Sequence, residues 1–162
     1  MIIRGVTKND IESCYSIEKT CFEESEAASI KSIEKRVKVY PAGFIVAEVD
    51  GNVVGMINSG STDKDDITDE EFKKLIGHSD NGKNIVIFSV SVLPEFQKNG
   101  IASKMLIEFI KRSKEQEKEK VILLCKTELI EFYERLSFEY FSISTSTHGG
   151  FEWHEMIYYI RY

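Results

Sequence analysis

The amino-acid sequence predicts an α/β protein, an α+β mixed sheet flanked by helices, on three observations. Two short apolar segments, Phe44–Asp50 and Val53–Asn58, flank Asp50-Gly51, a dipeptide that readily takes the positive φ of a tight hairpin. A run rich in Ile, Val and Phe, Ile85–Leu93, passes through Pro94 into a long amphipathic helix, Ile101–Glu117. A second apolar run, Val121–Cys125, follows that helix. Strands joined by a helix pair in parallel and strands joined by a tight turn pair antiparallel, so one sheet must hold both kinds.

The remaining elements follow in chain order. Met1–Val6 reads as a short strand. Thr7 stands at an N-cap position, with Asp10 after it and Ile11, Cys14, Tyr15, Ile17 and Glu18 at helical spacing. A second helix is expected over Glu26–Val39, with Ala27, Ile30, Ile33 and Val37 on one face and Pro41 ending it. Ser61–Lys83 carries seven acidic residues and few apolar ones, with a short helical signal at Thr68-Asp69-Glu70-Glu71. It reads as an elaborated connection, either a solvated loop or a flap over the substrate side. Beyond Cys125, a helix is expected over Thr127–Leu136 and strands over Phe138–Ser144 and Glu152–Ile160. No repeat or linker divides the sequence, which reads as one domain over 1–162.

Bulk properties narrow the function. A chain of 162 residues with 42% hydrophobic and 30% charged residues can bury its own core. A net charge of −6 argues against nucleic acid and anionic membranes as partners and favours a cationic small molecule. No apolar run approaches the roughly 18–20 residues of a membrane span, and Arg4, Lys8, Asp10 and Glu12 interrupt any secretion signal. Cys14, Cys21 and Cys125 are odd in number and form no CxxC pair, and three histidines supply no metal-ligand pattern. The expectation is a cytoplasmic, reduced, metal-free protein, with a nucleophilic-cysteine enzyme as a minor alternative.

The chemistry concentrates between Val90 and Ser103. An apolar strand stops at Pro94, a polar turn follows, and a helix opens near Gly100. The first turn of a helix presents N–H groups without intrahelical partners, and the helix dipole adds positive charge there. Gly100 admits close approach and Ala102 and Ser103 keep the turn small, which suits a pyrophosphate, with Lys98 and Lys104 nearby. A glycine that merely turns the chain would look the same.

The pattern V-x-P-x-x-Q-x-x-G-x-A, here with Gln97, Gly100 and Ala102, resembles the acyl-CoA motif of the GNAT acetyltransferases, Q/R-x-x-G-x-G/A. About thirty residues on, Phe132-Tyr133-Glu134-Arg135-Leu136-Ser137-Phe138 resembles the second signature of that family, F-Y-x-x-x-G-F, with Ser137 in place of the glycine. The resemblance covers essentially the whole chain and implies the GNAT acyl-CoA N-acyltransferase fold. It implies acetyl-CoA as the acyl donor, with pantetheine lying in a gap beside the backbone of Val90, Ser91 and Val92. The pyrophosphate would rest on the amides of Gln97, Lys98, Asn99, Gly100, Ile101, Ala102 and Ser103. Tyr133 would protonate the departing thiolate, and an amine would attack directly in a ternary complex.

Finer likeness points to the arylalkylamine N-acetyltransferase branch and its bacterial relatives. It is carried by Cys21-Phe22, Glu26-Ala27-Ala28-Ser29, Tyr40-Pro41-Ala42-Gly43-Phe44, Cys125-Lys126, Thr147-His148-Gly149-Gly150, Trp153 and Met156. Two histidines of the animal enzymes are matched here by Val86 and Phe88, which carry no proton, so the base is open. Glu23, Glu24, Glu26, His148 or a chain of waters are the candidates, each residue also reading as a solvated group, and His148 is the choice for the substrate side. A small (aryl)alkylamine or polyamine fits, with Phe22, Phe44, Phe88 and Trp153 available to line its pocket. Two other functions stay open, a non-catalytic acyl-CoA sensor and an acetyltransferase of protein or peptide amines. Homodimers are common among relatives.

Overall fold

The structure, a computed structural model, describes residues 1–65, 70–144 and 150–162. Its strands are β1 (Ile2–Gly5), β2 (Ile45–Val49), β3 (Asn52–Thr62), β4 (Asn84–Val92), β5 (Lys120–Lys126), β6 (Glu139–Ile143) and β7 (Trp153–Tyr159). They form one mixed sheet in the spatial order β1-β2-β3-β4-β5-β7-β6. Every neighbouring pair is antiparallel except β4 and β5, the pair joined through a helix. The α-helices are α1 (Ile11–Cys21), α2 (Ile30–Val39), α3 (Ile101–Glu115) and α4 (Ile130–Arg135). The expected mixed α/β architecture is therefore what the chain adopts.

Three helix starts differ from the sequence reading, each for a local reason. Lys8–Asp10 is a 3-10 turn that precedes α1. The Asp10 carboxylate there accepts from Thr7 N at 2.8 Å and takes both terminal nitrogens of Arg4 at 2.8 and 3.0 Å, tying the helix entry to β1. α2 begins at Ile30 and not at Glu26, because Ser29 is its N-cap and accepts from Ser32 N at 3.1 Å. The expected helix at Thr127 opens as a 3-10 turn, Thr127–Leu129, before α4. Thr68 and Asp69, where another helix was expected to start, lie outside the described residues, and Glu70–Lys74 is a 3-10 stretch.

Helices cover both faces of the sheet. On one face, Met105, Leu106 and Phe109 of α3 pack with Ile45, Ala47, Val54, Ile85, Val121 and Leu123, joined by Tyr133 and Phe138. On the other, Cys14 and Ile17 of α1 and Ile33 and Val37 of α2 enclose Phe44, Val46 and Met56. Phe72, from the 3-10 stretch, closes a third cluster with Val86, Ile122 and Ile157. Each fully buried aliphatic or aromatic side chain contributes about 1.5–3 kcal/mol by leaving water.

A bulge in β4 decides which of its side chains reach which face. The register passes from Ser59 opposite Ile87 to Asn58 opposite Ser89, so Phe88 is an extra residue without a cross-strand partner. Before it, Ile85 and Ile87 face α3; after it, Val90 and Val92 do. Ser89 and Ser91 are thereby turned toward α1. An unbulged strand would have carried them into the α3 core.

Gly43 gives a test of packing in this fold. It sits in the 3-10 turn Pro41–Gly43, where an added Cβ would overlap the ring of the buried Tyr40 and the hydroxyl of Ser59. Ser59 donates that hydroxyl to Gly43 O at 2.8 Å, so neither neighbour moves away freely. Gly43→Ala is expected to destabilise the protein by about 1–3 kcal/mol, read as a lower urea midpoint at unchanged slope.

Candidate active site

β4 and β5 pair over three positions, Asn84–Lys120, Ile85–Val121 and Val86–Ile122. Both strands continue, β4 to Val92 and β5 to Lys126, but their backbones no longer match, and a gap opens between them. Leu93 donates its N–H to Val54 O on β3. By the alternation of an antiparallel ladder, Val90 and Val92 direct theirs to the opposite side, into the gap. At Val92 the carbonyl is already engaged: Gln97 Nε2 donates to it at 2.9 Å and Cys21 Sγ at 3.3 Å. Gln97 thus fastens the turn after β4 back onto the strand, a role its place in the sequence motif does not reveal.

That turn is built from left-handed residues. Lys98 has φ +64° and Gly100 φ +77°, with Asn99 between them. Alternation of this kind curls successive N–H groups toward one side, the concave arrangement that holds anions. Gly100 is the N-cap of α3, and Lys104 is the residue that closes the first helical bond, onto Gly100 O at 3.0 Å. The amides of Ile101, Ala102 and Ser103 belong to the open first turn, at the positive end of a 15-residue helix.

A cavity of about 260 Å³ lies against this turn, lined by Val92, Phe96, Gln97, Lys98, Gly100, Ile101, Ala102, Ser103 and Phe132. Seven of those nine are residues expected from sequence. Of the others expected to hold the donor, Val90, Ser91 and Asn99 are not on its wall. Val90 offers backbone to the gap, whereas the Ser91 side chain points to the opposite face of the sheet. A second cavity, of about 220 Å³, is lined by Lys31, Ser32, Lys35, Lys73, Lys74 and Leu75 and shares no residue with the gap.

Tyr133 lies behind the cavity wall. Its ring meets Phe132 edge-on at 5.0 Å and Phe138 at 5.5 Å, and it is 6% exposed. Burial, with a smaller contribution from Cys125, raises its phenol above the ordinary tyrosine range, so the hydroxyl holds its proton at neutral pH. α4 ends in a reciprocal cap: Phe138 N donates to Tyr133 O and Ser137 N to Glu134 O. Ser137 takes φ +71° to make that turn, the conformation a glycine adopts most easily. The backbone of Tyr133 is therefore fixed from its C-terminal side. His148, with Thr147 and Gly149, lies outside the described residues.

The opposite face of the gap is polar and closed. Glu18, on α1, is 4% exposed. Its carboxylate accepts from Ser89 Oγ at 2.8 Å and Ala28 N at 2.9 Å, and Ser89 Oγ lies 3.1 Å from Ser91 Oγ. The loop between α1 and α2 crosses the mouth of the gap. Cys21 holds its start to β4 at Val92, and Glu26 reaches Lys126 at the end of β5, 3.1 Å away. The Lys126 ammonium also sits 3.8 Å from the Phe151 ring centre. Among the carboxylates named from sequence, Glu26 is thus buried in an ion pair, while Glu23 and Glu24 are exposed.

Of the aromatics expected to line an acceptor pocket, Phe44 is wholly buried in the core beneath α1 and α2 and cannot do so. Phe88 packs edge-on against Phe72 and lies beneath the buried Arg36 guanidinium, 4.6 Å away. Phe22 and Trp153 are half-buried. Sequence reasoning missed Glu18, although a charged residue in register with Cys14, Ile17 and Cys21 on the buried stripe of α1 was the available signal. It also missed His154, which is 5% exposed and bonds Thr127 Oγ1 and Tyr140 Oη, each at 2.9 Å.

A family model described as acetyltransferase (GNAT) family matches residues 11–138 of the chain. Among curated proteins, YhcX of Bacillus subtilis (strain 168), named as a probable hydrolase, is 25% identical over 114 residues, or 65% of this chain. The match spans only 22% of that protein's length. Among solved structures, the GNAT-like decarboxylase GphF in complex with isobutyryl-CoA superposes with a TM-score of 0.84 at 14% identity, covering 99% of this chain and 100% of that one. yncA from Salmonella typhimurium, solved with its cofactor acetyl-CoA, gives 0.71 at 18% identity over 100% and 95% of the two chains. At these identities the structural likeness speaks for the fold alone. The family match is of another kind, since it runs from the first residue of α1 past the turn at Gln97–Ser103 to the end of the Tyr133 segment, and on it the chain belongs to the acetyltransferase (GNAT) family.

Proposed function

We propose that this protein is an acetyl-CoA-dependent N-acetyltransferase whose acceptor is a small primary amine, an (aryl)alkylamine or a polyamine, and that residues 1–162 act as one domain. The observation that carries the reading is the continuity of two features. A strand edge with outward backbone groups at Val90 and Val92 runs directly into a concave turn of amides at the start of α3. An extended amide-bearing arm and a pyrophosphate, the two parts of coenzyme A, match those features in that order.

In this reading the donor's pyrophosphate rests on the Lys98–Ser103 turn, with Lys98 and Lys104 adding charge. Pantetheine lies along the open edge of β4, and its thioester reaches the level at which β4 and β5 part. A backbone N–H of that edge polarises the thioester carbonyl and stabilises the oxyanion formed on attack. Tyr133, kept protonated by its burial, donates to the departing thiolate. The amine enters from the α1–α2 face. The negative charge of the chain favours a cationic acceptor.

Calorimetry with acetyl-CoA, followed by a thiol-release assay over a panel of amines, tests the whole reading. Binding with release on one amine class is the expected result. Binding without release on any amine would favour an acyl-CoA sensor or a protein substrate, and absence of binding would sink the proposal. Two variants then separate its parts. Ala102→Glu is expected to weaken acetyl-CoA binding at least about tenfold without lowering Tm, because a carboxylate suits a helix N-terminus but repels a pyrophosphate there. Tyr133→Phe is expected to lower kcat by about 100-fold or more at nearly unchanged acetyl-CoA affinity; equal kcat would remove Tyr133 from the chemistry.

A further inference from the structure

Glu18 presents a question that packing alone does not answer. Its carboxylate is buried, yet among the described residues no cation lies within ion-pair distance of it. Arg36, which senses the Glu18 charge, donates instead to Asn58 Oδ1 and Lys73 O, at 3.0 and 3.2 Å. A glutamine would keep both contacts, accepting from Ala28 N and donating to Ser89 Oγ, without the cost of burying a charge. The charge therefore calls for a use.

The hydrogen-bond directions supply one. An ionised carboxylate only accepts, so Ser89 must spend its one hydroxyl proton on Glu18. Ser91, 3.1 Å from Ser89, must then donate to Ser89. This leaves the lone pairs of Ser91 Oγ as the far end of a buried chain, Ser91 to Ser89 to Glu18, in which each hydroxyl is ready to hand its proton on toward Glu18. The chain stands on the stretch of β4 that β5 no longer pairs, and on the face that α1 covers. The Phe88 bulge is what puts both serines on that face.

We infer that this chain carries away the proton released by the acceptor nitrogen, with Glu18 as its terminus. The inference rests on the transferase reading above. The neutral amine attacks the thioester carbon, the N–C bond forms, and the C–S bond breaks as the tetrahedral adduct collapses. The nitrogen of the adduct carries a surplus proton, which passes to Ser91 Oγ as the Ser91 proton moves to Ser89 and the Ser89 proton to Glu18. The thiolate takes its proton from Tyr133. Exchange with water then returns Glu18 to carboxylate and Tyr133 to phenol, so the net reaction is amine plus thioester to amide plus thiol. The groups that sense the Glu18 charge are Arg36 from α2 and the thiols Cys14 and Cys21 on α1 itself. None of them stands in the chain.

Glu18→Gln is the deciding variant, because the amide still accepts from Ala28 N and donates its NH2 to Ser89 Oγ, which keeps both contacts but reverses the Ser89 bond and removes the proton acceptor. With an amine that the wild-type protein turns over, kcat is expected to fall about 100-fold or more, while the acetyl-CoA Kd and Tm stay put. Ser91→Ala, which cuts the chain at its outer end, should give a similar loss. The double variant should be no worse than either single one, whereas two independent structural defects would add. Wild-type kcat in Glu18→Gln, or additive losses in the double variant, overturns the relay and leaves the transferase intact. Acetyl-CoA binding by the wild-type protein without thiol release on any amine overturns the transferase reading, and the relay with it.

Discussion

Parallel pairing between β4 and β5 stops after three residues, and the rest of the site is arranged around that break. Beyond Val86 the two strands keep their lengths but lose each other as partners, which leaves a row of backbone groups on β4 facing open space. Buried backbone groups without partners are costly. Here one of them, the Val92 carbonyl, is met by side chains of Gln97 and Cys21. The same two contacts bring the turn before α3 and the end of α1 against the strand. Closure of one orphan group thus assembles three elements of the site.

The two faces of the gap differ in chemistry because of a single extra residue. Phe88 shifts the alternation of β4, so that valines face α3 while serines face α1. On the α3 side lie apolar packing, the helix start and the Tyr133 phenol. On the α1 side lie a carboxylate, two hydroxyls and a buried guanidinium. In the transferase reading proposed above, this separation places the departing thiol on the apolar side of the gap and the attacking nitrogen on the polar side.

Much of this was legible in the chain. The hairpin at Asp50-Gly51, the buried run at Ile85–Leu93 and the helix after Gly100 follow from local rules, whereas the turn from Gln97 to Ser103 was singled out by its resemblance to a family motif, because a glycine that merely turns the chain would look the same. The bulge was not legible, since an unbroken Ile/Val/Phe run looks the same with or without an extra residue. Nor was the burial of Glu18, whose partner Ser89 lies 71 positions away. Glu26 was visible as a carboxylate in the right loop, but its pairing with Lys126 spans 100 positions and exists only after folding. Phe44 was misjudged for the reverse reason: its aromatic ring suggested a pocket, and the alternation of β2 sends it into the core.

The two parts of the sheet, β1 to β4 and β5 to β7, share three backbone pairs, and the apolar side of α3 packs into a core that both parts build. Met105, Leu106 and Phe109 share one cluster with Ile45, Ala47, Val54 and Ile85 from the first part and Val121 and Leu123 from the second. Hydrogen bonds fix a spacing, whereas dispersion contacts only fill one, and filled interiors transmit a change in volume. α3 is thus a spacer: the bulk of its buried side chains sets how far apart the banks of the cleft stand. A methylene added or removed there would alter the clearance between those banks, which, in the transferase reading proposed above, makes the interior of this protein a place that tunes acyl-chain length.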